Sequence, residues 1–181
     1  MIRKIKEHLG NRQLNTILSE QVRRKAFLNY ENMRNIGIVF EATDPDEFEL
    51  VKKYVCSLRE QNKKVHAIGF FDQKFTPPDI SYPKTEFDLF NTKELKGLNQ
   101  AASPYIQTFI TEIRDVLIDL NIRNKFPLRY IAGTSQARCK IGIDIPENKN
   151  LHDVFISISP KEGIEKYLKQ VDKYMGMINS R

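Results

Sequence analysis

Two apolar runs with one capped helix between them constrain this chain more than anything else in it. Asn35–Glu41 (NIGIVFE) and Lys64–Phe71 (KVHAIGFF) are continuous and rich in β-branched and aromatic residues. A strand with one face in water alternates apolar and polar side chains, and a strand covered on both faces does not. Both runs therefore read as strands buried on two sides. Between them Asp44 offers an N-cap, Pro45 fits the first helical position, and Glu47 stands where a capping box closes. Phe48, Val51, Tyr54 and Leu58 follow at helical spacing. Strand, helix and strand in that order make a βαβ unit with a right-handed crossover.

The alternation continues to the end of the chain. Glu86–Phe90 reads as a short strand, 91–102 as a loop or ragged helix, and Ser103-Pro104 as the start of a helix to about Ile113. Val116–Leu120 and Cys139–Ile143 are strands around a helix at Phe126–Thr134. Val154–Ser159 is β-rich, and Ser159, Pro160 and Glu162 launch a last helix over Lys161–Ile178. Thr76-Pro77-Pro78 forces an irregular segment, and 76–84 is the expected mobile loop. This order predicts a three-layer, Rossmann-like α/β sandwich on a mostly parallel sheet of about five or six strands. That domain spans 34–181. Residues 1–33 form a basic, amphipathic helical extension, expected in two pieces broken near Gly10-Asn11, with Leu14, Ile17, Leu18, Val22 and Leu28 in its apolar stripe.

Charge separates the two parts. Residues 1–34 hold eight Lys/Arg and three acidic residues, +5 of the chain's net +6. The extension is thus the candidate surface for a protein, a nucleic acid or an anionic membrane. No RNA-binding signature accompanies it. No apolar run approaches the roughly 20 residues that span a bilayer, so no transmembrane segment is expected. Arg3, Lys4, Lys6 and Glu7 interrupt where a secretory signal would be apolar, which leaves the cytoplasm as the expected compartment. Cys56 and Cys139 are too few and too far apart for a disulfide framework or a zinc knuckle.

In open parallel sheets, ligands collect beyond the carboxyl ends of the strands. Three such ends are legible: 41–44, Asp72-Gln73-Lys74, and Asp119-Leu120-Asn121. The first has no glycine, so neither a dinucleotide nor a nucleoside triphosphate finds its usual backbone cradle, and no cofactor is expected. Glu41, Asp44, Asp72 and Asp119 could converge on Mg²⁺, but capping and dipole compensation explain the acidic residues more simply, and no metal is assigned. His8, His66 and His152 are scattered, without metal-ligand spacing. Ser135 has no G-x-S-x-G setting, so no catalytic residue is assigned. The third end is the best ligand site. Asp119, Asn121, Arg123 and Arg129 lie around a strand-to-helix junction where Pro127 fits the first helical turn, and an anion could be held there without a glycine loop.

The stretch DVLIDLNIRNKFPLRYIAGTSQARCKIGID, from Asp115 to Asp144, resembles an uncharacterised family of small α/β proteins from Bacteroidetes with a "FDxLIDL…pLxYIaxxSkAkxKiG" block. It is more distantly similar to the acceptor-side, N-terminal Rossmann-like domain of heptosyltransferase-type GT-B glycosyltransferases. There Asp115–Leu120 matches the strand, Ser135–Arg138 the "SgAr" turn, and Lys140-Ile141-Gly142 the next strand. This chain has no second Rossmann-like domain, and Ala42-Thr43-Asp44-Pro45 replaces the glycine-containing loop. The resemblance implies a fold and assigns no activity. Two functions are expected. The first is a non-catalytic module binding a macromolecular partner through residues 1–33. The alternative is a module binding a small phosphorylated or nucleotide-like ligand beside Asp119, as a degenerate glycosyltransferase-like domain.

Overall fold

The computed structural model describes residues 2–71, 82–96, 100–101 and 103–177. In chain order its main elements are α1 (Ile2–Glu20), β1 (Asn35–Glu41), α2 (Pro45–Glu60), β2 (Lys64–Phe70) and β3 (Phe87–Phe90). Then come β4 (Leu95–Lys96), β5 (Gln100–Ala101), α3 (Pro104–Thr111), β6 (Val116–Asp119) and α4 (Phe126–Thr134). β7 (Cys139–Ile143), β8 (Val154–Ile156) and α5 (Gly163–Met177) complete the chain. Six strands form one sheet in the order β3-β2-β1-β6-β7-β8, and every neighbouring pair is parallel. Counting only these strands, the order is 3-2-1-4-5-6, the doubly wound Rossmann-like arrangement. β4 and β5 make a separate antiparallel pair.

Strand periodicity sorts the core into two layers. On one face Ile36, Ile38, Phe40, Val116, Ile118, Cys139 and Ile141 meet α2 through Phe48, Val51 and Leu58, and α5 through Ile164, Val171 and Met175. On the other Val39, Ile68, Phe70 and Leu117 meet α3 and α4 through Ile106, Phe109, Leu128 and Ile131. Leu117 is level with Lys140, so the second face also carries Asp119, Lys140 and Gly142.

Several local expectations are revised. α1 runs unbroken through Gly10-Asn11 and ends at Glu20. A mid-helix glycine costs only about 1 kcal/mol. Here Gly10 is buried, and the Asn11 Oδ1 accepts from Arg129 at 2.8 Å, so tertiary contacts override propensity. Residues 21–29 are irregular, so Val22 and Leu28 leave the helical stripe. Asp44 does cap α2, accepting from the backbone N–H groups of Asp46 (2.9 Å) and Glu47 (3.2 Å). The Glu47 carboxylate, however, turns to Arg123 rather than back to the cap. The box at Ser159 and Glu162 forms on a 3-10 turn, and α5 starts only at Gly163, whose φ of +79° separates turn from helix. Within 91–102 a 3-10 turn at Thr92–Glu94 leads into β4 and β5. The strand end Asp72-Gln73-Lys74 and residues 76–81 lie outside the described residues. No described helix is long and apolar enough to cross a membrane.

Candidate functional site

Strand order reverses between β1 and β6, so the crevice of this fold opens between Glu41 and Asp119. It is bridged by ion pairs. Arg123 holds Glu47 bidentately at 2.7 and 2.6 Å and reaches Glu41 at 3.3 Å, while the Lys125 Nζ lies 3.5 Å from Glu41. The hydrogen bonds it donates to Glu47 hold the Arg123 guanidinium above its ordinary value. Asn121 braces the loop behind it. Its Oδ1 accepts from the Lys125 N–H (2.7 Å) and its Nδ2 donates to the Lys125 carbonyl (2.9 Å), around Asn124 at φ +56°. Asp119 Oδ1 accepts from the Asn121 N–H at 3.0 Å. Arg129 is buried at the α1–α4 contact, donating to Asn11 and, at 2.7 Å, to the Glu147 carbonyl. The structure thus brings Asp119 and Asn121 together, sets Arg123 across the crevice, and places Arg129 beneath α1. All four have protein partners.

A second polar cluster lies on the same face of the sheet. Asp119 Oδ2 meets His152 Nε2 at 2.9 Å, with both side chains at or below 2% exposure. The imidazole lies over Gly142, where any Cβ would overlap it. The Tyr167 hydroxyl donates to the Asp119 carbonyl at 3.0 Å. Next to this pair Lys140 is fully buried, and its Nζ donates to the Gly133 carbonyl at 2.6 Å. Burial, reinforced by the charge of Arg23, lowers this amine to about 7. Asp153 closes the cluster. It accepts from Arg23 at 2.6 and 2.7 Å, from the Lys140 N–H at 2.9 Å, and pairs with Lys25 at 2.9 Å. Burial alone would raise its carboxyl, but the hydrogen bonds from Arg23 and Lys25 outweigh burial and hold it below the usual range. A cavity of about 190 Å³ lies between Leu18, Gln21, Arg23, Lys140, His152 and Asp153.

Residues 21–29 form the outer wall as a strap. Gln21 donates to the Thr134 carbonyl (2.8 Å), Arg23 to the Ala137 carbonyl (2.7 Å), and the Ala26 N–H to the Arg138 carbonyl (3.1 Å). Leu14 of α1 is buried against Phe126 and Leu151, and Gly133 lets these chains approach. Other side chains of the strap point out: Val22 is 93% exposed, Phe27 is 47% exposed, and Arg24 is exposed. A wider cavity of about 650 Å³ sits at the amino end of β2, lined by Arg59, Lys63, His66, Glu86 and Glu112. There Arg59 pairs with Glu86 at 2.9 Å, and the His66 ring meets Asp88 at 2.8 Å.

Sequence reasoning found Asp119 but missed His152, Lys140, Asp153 and Arg23. The pairing of Asp119 with His152 spans 33 positions and has no local spacing. One signal was available: CKIGI sets a lysine and a glycine on one face of a strand that is otherwise apolar. Among the described residues no group of three or more His, Cys, Asp or Glu could hold a metal ion. Cys56 is exposed and Cys139 buried, both as free thiols.

Comparison with curated proteins and with solved structures gives no match. One family model does match, over residues 6–178, so the match takes in most of α1 and the whole strap as well as the α/β sheet. The chain belongs to the family of unknown function DUF6913.

Proposed function

We propose that this protein is a non-catalytic α/β module that binds a macromolecular partner through its basic N-terminal arm, with the outer side of the strap as the contact. The observation that carries the reading is the division of side chains along 21–27 between the body and solvent. Gln21 and Arg23 are spent on the body and Lys25 pairs with Asp153, whereas Val22, Arg24 and Phe27 face solvent together. Val22 at 93% exposure adds nothing to the core, and two apolar side chains among cations suit an acidic surface with an apolar recess. A small phosphorylated ligand in the crevice, the alternative, would have to compete with Glu41 and Glu47 for Arg123. The same reading places the protein in the cytoplasm and among Bacteroidetes proteins, with a distant likeness to the acceptor-side domain of heptosyltransferase-type enzymes.

Deleting residues 1–33 would also strip Leu14 and Arg23 from the body, so it does not isolate the surface. The double substitution Arg24→Glu with Phe27→Ser does. Affinity capture from lysate with the wild type and this variant is the test. The expected result is loss of the retained partner at an unchanged melting temperature, and an unchanged set of partners contradicts the proposal. A nucleic-acid partner is recognised by steep salt dependence of the capture.

A further inference from the structure

We propose that the cavity beneath the strap binds a small carbonyl compound carrying an anionic group, such as a short α-oxo acid, and that the Lys140 amine condenses with its carbonyl carbon. The cavity of about 190 Å³ is below the ~300–1,000 Å³ of clefts for drug-sized ligands, so it suits a molecule of a few carbons. Its walls supply what such a molecule needs. Lys140 is buried at the cavity, with one hydrogen bond from its Nζ, to the Gly133 carbonyl. Arg23 and Lys25 face a single carboxylate, Asp153, so the strap side keeps a net positive charge for the anionic group. Burial lowers the amine and so favours its free base, which is the nucleophile.

His152 also lines the cavity. Its Nε2 is tied to Asp119, and its buried Nδ1 has no hydrogen-bond partner in the structure. In the tautomer with its proton on Nε2, toward the accepting carboxylate, Nδ1 presents a lone pair. In the condensation the Lys140 nitrogen lone pair forms the C–N bond as the carbonyl π bond opens to oxygen. The nitrogen gives up its two protons in turn, the oxygen takes up two, the C–O bond breaks with loss of water, and a C=N bond remains. His152 is the group placed to carry these protons. No oxidant or reductant is required, and hydrolysis returns the free amine.

The test uses the full chain with millimolar glyoxylate and borohydride, which reduces any imine to a stable secondary amine, followed by peptide mass spectrometry. The expected result is labelling of Lys140 at pH 7 roughly tenfold faster than that of the exposed Lys64 or Lys169. Acetaldehyde, which has no anionic group, should label Lys140 several-fold less than glyoxylate does. Lys140→Met should abolish the fast adduct, and the wild-type peptide map decides the matter even if that variant does not fold. Labelling that follows exposure alone, with Lys140 silent or no faster than Lys64, overturns the proposal. Equal labelling by glyoxylate and acetaldehyde overturns the assignment of an anionic group.

Discussion

Along residues 21–29 the inward and outward side chains differ in kind. Gln21 and Arg23 reach carbonyls at the end of α4 and the start of β7, and Arg23 holds Asp153 where neither side chain sees much water. Val22, Arg24 and Phe27 face out. Removing one partner of a buried ion pair leaves an uncompensated charge, whereas removing an exposed side chain leaves water where water already was. One short segment therefore separates stability from recognition by the direction each side chain faces. Changes on its inner side, and beneath it, should unfold the protein; changes on its outer side should leave the fold alone.

The largest effect is expected beneath the strap. Gly142→Ala puts a methyl group into the space of the His152 imidazole and forces the Asp119 pair apart. Overpacking and a lost buried hydrogen bond together should cost about 4 kcal/mol in chemical denaturation. Arg23→Ala should cost about 3 kcal/mol, because Asp153 stays buried with only Lys25 and the Lys140 N–H as donors.

A smaller effect is read through pH. With the Lys140 amine lowered to about 7, the unfolded chain binds a proton that the folded chain sheds between pH 7 and 10.5. Stability then rises with pH across that window. The Cys139 thiol, pushed up to about 12 chiefly by burial, works the other way once unfolded thiols ionise near pH 9. The clean window is thus pH 7 to about 8.5, where the wild type should gain about 1–2 kcal/mol and Lys140→Met should show no such slope. Equal slopes would show that the buried amine stays charged. Smallest of all, Val22→Ser and Arg24→Glu should each shift stability by less than about 0.5 kcal/mol. A cost above about 2 kcal/mol for either would erase the distinction between the two sides of the strap.

The parallel sheet was legible because its central strands, β1 and β6, announce burial by near-continuous apolar sequence. α4 and β7 were read to the residue, since Pro127 marks the start of one and the β-branched CKIGI run the other. The strap was not legible. Leu14, Leu18 and Val22 keep helical spacing, but the helix stops at Glu20 because the next residues bond to the body rather than to one another. The candidate site was half legible. Asp119 stands at a strand end, where its position alone draws notice. His152, Lys140 and Asp153 come from separate segments and meet only when β7 is laid between β6 and β8. Charges there could be foreseen as exposed or bound to a ligand, yet Arg129 and Asp119 are taken up by protein partners, because a buried charge needs a partner wherever one can be had, and the part-exposed Arg123 pairs with Glu47.

The most direct measurement of the central claim is site-specific photo-crosslinking in cells. A photoreactive amino acid replaces Val22 in one sample and exposed Lys169 of α5 in another. The account predicts a discrete crosslinked species from position 22 that is absent from position 169 and is lost when Arg24→Glu is added. No species from position 22, or the same species from both positions, would contradict it.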